Sequence, residues 1–151
     1  QTGKTFLARR VEALLVADSR HAYLLEGENL LQGLDADLSA ADPSFAAERV
    51  RRYGEVARLL IDTGLIVVST SKTFGINYQR MAEMIRTLVQ PAPVIAVHMS
   101  RAGEEPPPNT DLHFAGPQDF DAAARQILEE LKRRGVLIQP SGTKSTIQYS
   151  I

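Results

Sequence analysis

Residues Gly3, Lys4 and Thr5 have types and spacing that suit phosphate chemistry. With Gln1 and Thr2 they match the closing half of the phosphate-binding pattern G-x-x-x-x-G-K-S/T. In that pattern, backbone N–H groups at a helix N-terminus surround the phosphates, the lysine binds phosphate oxygens and the hydroxyl ligates Mg²⁺. A short G-K-T also occurs by chance, but an amphipathic helix begins directly after this one, as the mechanism requires. We therefore predict that Gly3, Lys4 and Thr5 bind a nucleotide, with Thr5 as the metal ligand.

Two glutamates, Glu26 and Glu28, follow a short apolar run and precede Asn29. At the end of a strand, such carboxylates can orient a water on Mg²⁺ or accept the proton of an attacking hydroxyl group. Glutamates in loops are more often simply solvated. The local sequence leaves both interpretations open.

Three arginines, Arg49, Arg51 and Arg52, lie near the start of a predicted helix. Guanidinium groups suit contacts with phosphate or sulfate, although a solvated basic face explains them equally well. The three histidines lack the spacing of metal ligands, so we expect them to be structural.

The elements that position these residues follow from the spacing of apolar side chains. The pattern predicts helices over about 5–17, 46–63, 77–90 and 119–134, and strands over 22–25, 65–69, 94–99 and 111–114. Apolar strands that alternate with helices predict an α/β fold, a doubly wound parallel sheet with helices on both faces. Ligands bind at the carboxyl ends of such strands, where residues 26–29, 69–73 and those after 99 lie.

Composition restricts the class of protein. The 151 residues include 17 basic and 18 acidic side chains, so no broad positive field favours nucleic acid. The longest apolar run, 13–17, is too short to cross a membrane, and we expect no secretory signal, because no charged segment followed by an apolar one opens the given sequence. Cysteine is absent, which excludes disulfides, and we expect a cytoplasmic protein.

Several segments resemble adenylylsulfate kinases. Residues 48–68 (ERVRRYGEVARLLIDTGLIVV) are similar to the family's E-N-I-R-R-x-G-E-V-A-K-L-x-x-D-A-G-x-I-V-I segment. Residues 21–29, with Gly33 and Leu34, resemble its strand ending in D-G-D-N followed by G-L. Residues 127–138 resemble its final helix and strand, so the resemblance covers most of residues 3–138.

The resemblance implies a P-loop kinase fold that moves the γ-phosphoryl group of ATP, with Mg²⁺, to the 3'-hydroxyl of adenosine 5'-phosphosulfate. It implies that Lys4 and Thr5 act on phosphate and metal, and that Glu26 and Glu28 stand at the family's two functional aspartates. Lys4, Glu26 and Glu28 are the predicted catalytic residues. Asn29 matches the family's asparagine, and Asn29, Arg49 and Arg52 are the residues predicted to bind substrate.

The acceptor side departs from the family pattern. Leu31 and Ala46 stand where the family has arginines, and Arg49 replaces the asparagine of E-N-I-R-R. Residues 71–74 replace the I-S-P-Y/F loop, and the phenylalanine of L-G-F has no counterpart near 38–40. Arg101–Glu104 matches only a fragment of the family's lid, which suggests that mobile loops are missing from the sequence as given.

These features predict a kinase-like domain over 1–138, with the first strand and the first half of the P-loop outside the given sequence, and a tail over 139–151. Three functions remain open. The first is an adenylylsulfate kinase, and the second is a kinase for another small hydroxyl substrate. The third is a degenerate domain that binds nucleotide and regulates an attached or partner sulfate adenylyltransferase. A homodimer is also left open.

Overall fold

The computed structural model describes residues 3–70, 76–116 and 119–137, in which helices alternate with short strands. The elements are α1 (Lys4–Ala17), β1 (Ala22–Glu26), a 3-10 helix (Gly27–Leu30), α2 (Phe45–Asp62), β2 (Ile66–Thr70), α3 (Tyr78–Val89), β3 (Val97–Ser100), β4 (Leu112–Ala115) and α4 (Phe120–Arg133). This order confirms the predicted α/β class.

The strands of the described ranges form two parallel pairs. β1 pairs with β2, with Leu25 opposite Ser69 and Glu26 opposite Thr70. β3 pairs with β4, with His98 opposite His113. The parallel arrangement is as predicted, although the four strands form two separate hydrogen-bonded ladders rather than one continuous sheet.

Helices cover both faces of the strand pairs. One apolar core contains buried residues of α1 and α4 together with Met99 of β3 and Phe114 of β4, and Ile66 of β2 packs against it. The second core joins α2 and α3 to β1 and β2 through Leu25 and its neighbours. Since residues from both strand pairs contribute to the first core, one layer of helices spans both pairs, and the prediction of helices on both faces is confirmed.

The pairing of α2 with α3 depends on a small residue at their crossing. A Cβ atom at Gly54 would lie 2.5 Å from Cδ1 of Leu88, so the glycine permits the close approach. The start of α3 is capped by a side chain, since Asn77 Oδ1 accepts a hydrogen bond of 2.8 Å from the Arg80 N–H. α2 therefore packs closely against α3, and both helices contribute to the core that contains Leu25 of β1.

Two strand predictions differ from the structure by more than one residue. β3 begins at Val97 rather than at residue 94, because the Ala96 N–H donates to the side chain of Asp111 at 2.6 Å and the Ala96 carbonyl accepts from the Asp111 N–H. The final strand implied over 135–138 is a turn across 135–137, where the Val136 N–H closes back on the Leu131 carbonyl.

Some predictions fall outside the described residues: Gln1 and Thr2 of the phosphate-binding pattern, the loop 71–74, Ile138 and the tail 139–151. Among the residues that the structure does describe, no helix has the length and apolar character needed to cross a membrane.

Candidate active site

The start of α1 has the geometry that a phosphate-binding helix needs. Gly3 precedes the helix with φ +73°, and a Cβ atom there would lie 2.6 Å from Cζ of Phe120, so both conformation and space require glycine. The Leu7 N–H donates to the Gly3 carbonyl at 3.0 Å, which leaves the N–H groups of the first turn directed out of the helix end. Lys4 and Thr5 are exposed at this end, where the helix dipole favours an anion.

The carboxylate-bearing end of β1 is fastened to α1. Glu26 is the last residue of β1, and Glu28 lies in the 3-10 helix that follows; both are partly buried. Arg9 of α1 approaches Glu26 with Nη2 3.8 Å from Oε1, and Glu12 Oε1 accepts a hydrogen bond of 3.0 Å from the Leu24 N–H. The fold thus brings the predicted phosphate-binding helix against the strand that carries the predicted catalytic carboxylates.

The start of α1 also lies within electrostatic range of β3. Burial lowers the pKa of His98, and the positive charges of His113 and Lys4 lower it further, against a smaller opposing effect of Glu104. The His98 and His113 rings are 5.8 Å apart between centroids, and Ser100 Oγ lies 2.8 Å from His113 Nε2. Within the described residues, no group of three or more His, Cys, Asp or Glu side chains could hold a metal ion.

The two arginines predicted to bind substrate face carboxylates of this chain. Arg52 forms ion pairs with Asp37, through bonds of 2.5 and 2.9 Å, and with Glu48 at 2.9 Å. Arg49 Nε donates to Asp35 Oδ2 at 3.3 Å. Both arginines therefore attach the segment between the 3-10 helix and α2 to the side of α2.

Asp35 is a residue that sequence reasoning missed. Its side chain is 1% exposed, and its Oδ1 atom has no hydrogen-bond partner within the described residues, although Oδ2 is paired with Arg49. A buried carboxylate usually has both oxygens satisfied, because an unpaired one costs desolvation energy. No motif marks Asp35; the only signal was an arginine at position 49, whose buried charge needs a partner.

Tyr53 is the second residue that was missed, since its spacing indicated only the apolar face of α2. Its side chain is buried, and its hydroxyl contacts the carbonyls of Leu25 and Thr70 and the hydroxyl of Ser69. Burial raises the pKa of the phenol, the Ser69 bond opposes this, and the negative charges of Glu28 and Glu26 raise it further. The available signal was a tyrosine on an aliphatic face, because a buried tyrosine hydroxyl requires a polar partner.

Comparison with known proteins identifies the family. A sequence model of the adenylylsulphate kinase family matches residues 1–107. The chain belongs to this family. It is 41% identical over 87 residues to an adenylyl-sulfate kinase of Aeromonas hydrophila, an alignment that covers 58% of this chain and 42% of that relative. The first three relatives found are matched over only 42%, 47% and 45% of their own lengths, so the chain spans less than half of them.

Solved structures give the same fold. The Cys556Ala mutant of the Mycobacterium tuberculosis APS kinase has a TM-score of 0.72 and 28% identity, covering 87% of this chain and 90% of that one. The M. tuberculosis APS kinase in complex with AMPPNP and APS has a TM-score of 0.70 and covers 87% of this chain and 91% of that one. At 23% identity, this second likeness concerns the fold alone.

In this member of the adenylylsulphate kinase family, three positions that depart from the family pattern, Leu31, Ala46 and Arg49, lie on either side of Asp35 in the chain. Leu31 is exposed directly after the 3-10 helix, and Ala46 lies one turn before Arg49 in the first turn of α2. Arg49, which stands where the family pattern has an asparagine, forms a buried ion pair with Asp35. Asn29 is exposed beside this region. The roles of the predicted substrate residues remain predictions.

Proposed function

We propose that this chain is an adenylylsulfate kinase-type phosphotransferase, which moves the γ-phosphoryl group of ATP to the 3'-hydroxyl of adenosine 5'-phosphosulfate. The observation that carries the proposal is the juxtaposition of two parts: an exposed Gly3-Lys4-Thr5 helix start, and a strand ending in Glu26 that the same helix binds through Arg9. The proposed kinase-like domain spans residues 1–138.

The residues at the start of α1 fit a nucleotide phosphate and its metal ion. Gly3 turns the backbone into the helix with a positive φ, Lys4 supplies a positive charge, and the Thr5 hydroxyl suits Mg²⁺. When bound, Mg²⁺ would neutralise charge that develops on the transferring phosphoryl group.

The transfer itself requires a proton acceptor near the attacking hydroxyl. As the new P–O bond forms to the 3'-oxygen, the bond from the γ-phosphorus to the β–γ bridging oxygen breaks and ADP departs. The hydroxyl proton passes to Glu26 or Glu28, and then to solvent. Asn29, Arg49 and Arg52 complete the proposed acceptor side.

A second candidate function is a degenerate kinase domain that binds nucleotide and regulates an attached or partner sulfate adenylyltransferase. The specific observation that favours it is the Arg49–Asp35 ion pair, since a guanidinium group paired with a buried carboxylate is less available to an anionic substrate. Leu31 and Ala46 also favour this function, because apolar side chains stand there where the family pattern has arginines.

An assay of ADP release on the full-length protein, with and without adenosine 5'-phosphosulfate, distinguishes the two functions. Lys4→Ala is expected to abolish ATP binding or turnover with little loss of folding, because the exposed side chain contributes nothing to the apolar core. Lys132→Ala is the matched control, because Lys132 is also exposed but lies in the last turn of α4 and pairs with Glu129.

Acceptor-dependent turnover that Lys4→Ala removes and Lys132→Ala preserves supports the kinase. Binding of ATP without turnover, measured by titration calorimetry, selects the regulatory domain instead. An unchanged ATP affinity in Lys4→Ala contradicts the phosphate-binding assignment and both candidate functions with it.

A further inference from the structure

Tyr53 occupies a central position beneath the candidate site. It lies at the middle of α2, and it is only 1% exposed. Its hydroxyl lies 2.9 Å from the Leu25 carbonyl, 3.1 Å from the Thr70 carbonyl and 2.5 Å from Ser69 Oγ. A single side chain of α2 therefore joins the last residues of two strands.

These contacts fall where β1 and β2 end. Leu25 is opposite Ser69 in the ladder, and Glu26 is opposite Thr70. The Leu25 carbonyl belongs to the peptide group that leads directly into Glu26. Any movement of this carbonyl therefore moves the backbone of the first candidate catalytic residue.

The hydrogen bonds are consistent with the protons available. The Tyr53 hydroxyl has one hydrogen atom, which it can share between the carbonyls of Leu25 and Thr70. The Ser69 hydroxyl can then donate to the phenol oxygen. Phenylalanine at position 53 would fill nearly the same volume but would remove every one of these bonds.

The candidate carboxylates lie within electrostatic range of this hydroxyl group. The negative charges of both Glu28 and Glu26 act on the Tyr53 phenol and raise its pKa, in addition to the effect of burial. The phenol therefore stays neutral and keeps its proton for the carbonyl groups. Its neutrality also avoids a third negative charge beside the two carboxylates.

We propose that Tyr53 is a positioning residue for phosphoryl transfer. By joining the ends of β1 and β2, its hydroxyl holds the backbone from which Glu26 and Glu28 project, and so fixes the carboxylates relative to the hydroxyl that they deprotonate. This inference rests on the proposed kinase function. In this proposal α2 affects the chemistry indirectly, because Tyr53 holds the strand ends and does not itself contact the substrate.

The test compares Tyr53→Phe with Tyr23→Phe in the full-length protein. Tyr23 is the control tyrosine because it lies near the start of β1, at 47% exposure, away from the end of the strand that Tyr53 contacts. Because a displacement of about 1 Å can cost about 100-fold in rate, Tyr53→Phe is expected to lower kcat by roughly 10- to 100-fold. The KM for ATP is expected to stay within about twofold, because ATP binds at α1. Tyr23→Phe should leave both constants unchanged.

Hydrogen–deuterium exchange provides a readout that does not depend on turnover. Amides of residues 25–30 should exchange faster in Tyr53→Phe than in the unmodified protein or in Tyr23→Phe, at a temperature where all three are folded. Ser69→Ala removes one partner of the hydroxyl while leaving the carbonyl contacts, so it should produce the same changes in smaller measure.

The outcomes separate this inference from the proposed function. A fall in kcat with unchanged KM for ATP and faster exchange at 25–30 supports the positioning role. Unchanged kcat, or an effect confined to the KM for ATP, overturns it. If the unmodified protein lacks acceptor-dependent turnover, the proposed function fails. Hydrogen–deuterium exchange then decides alone whether Tyr53 holds the strand ends, and unchanged exchange at residues 25–30 in Tyr53→Phe overturns that role too.

Discussion

Replacing Arg49 by methionine is expected to destabilise the protein by leaving a buried carboxylate without its cation. The Asp35 side chain is 1% exposed, its Oδ1 atom already lacks a partner within the described residues, and Arg49 Nε binds Oδ2 at 3.3 Å. Removing one partner of a buried ion pair costs about 3–5 kcal/mol. The distance exceeds that of a strong charge-assisted hydrogen bond, and Arg49 is 11% exposed, so we expect a loss near about 3 kcal/mol.

The assay is urea denaturation followed by circular dichroism, with Arg51→Met as the matched control on the same helix. Arg51 is 52% exposed and pairs with Glu48 on the surface, so its replacement should change the free energy of unfolding by less than about 1 kcal/mol. Adding Asp35→Asn to Arg49→Met should restore stability, because the uncompensated charge is then removed. Equal effects of Arg49→Met and Arg51→Met, or no restoration in the double variant, would refute the reasoning.

The same variants of Arg49 and Asp35 also allow the proposed contact of Arg49 with the acceptor substrate to be measured. A single change at Arg49 mixes lost binding with lost folding, so its effect on affinity is ambiguous. Asp35→Asn keeps Arg49 but weakens its internal partner, and it should therefore strengthen binding of adenosine 5'-phosphosulfate if Arg49 contacts the anion. An added charge-assisted bond of about 1.5–3 kcal/mol corresponds to about a 10- to 150-fold change in Kd. Arg49→Met in the Asp35→Asn background should abolish that gain.

Four further substitutions test other parts of the site and fold. Glu26→Gln and Glu28→Gln should show which carboxylate is the general base, since replacing that base should lower the rate of ADP release by about 10²–10⁴-fold. No loss of rate in either variant contradicts the proposed mechanism. Leu31→Arg should tighten binding of adenosine 5'-phosphosulfate by about 10-fold or more in titration calorimetry, whereas Leu59→Arg, also at an exposed leucine, should not. Asp111→Asn should weaken stability by about 1–3 kcal/mol at neutral pH. Burial raises the pKa of Asp111, but the Ala96 N–H, Arg134 and Arg86 lower it more. Its stabilisation is therefore present above the ordinary carboxyl pKa, and the difference in urea midpoint between the two proteins should vanish as the pH falls through the lowered pKa.

The sequence predicted the helices well because their signals are local. Val50, Tyr53 and Ala57 recur at helical spacing and are all buried on one face of α2. Asn77 and Asp119 cap α3 and α4 through bonds to N–H groups only two or three residues away. Such contacts are visible in any window of the sequence that contains the helix.

The features that were missed depend on residues far apart in the chain. The start of β3 is set by Asp111, which lies 15 residues beyond the Ala96 N–H that it binds. The Arg49–Asp35 pair spans 14 residues, and the contacts of Tyr53 with Leu25 span 28. Periodicity shows that a side chain faces inward, but it does not show which polar group meets it there. The candidate site could therefore be predicted as a set of residues and not as a set of contacts.

The two findings on α2 concern residues outside the family match, since Arg49 replaces its asparagine and Tyr53 stands at its variable position x. Arg49 and Tyr53 are four residues apart, so they lie one above the other on the same side of the helix. Tyr53 reaches the strand ends below Glu26, whereas Arg49 reaches the segment that contains Asp35. One helix face thus contacts both the proposed carboxylate side and the proposed acceptor side of the candidate site. Because Tyr53 contacts the strand end that carries Glu26, whereas Arg49 contacts the segment between the 3-10 helix and α2, changes at Tyr53 should act on the rate and changes at Arg49 on acceptor affinity.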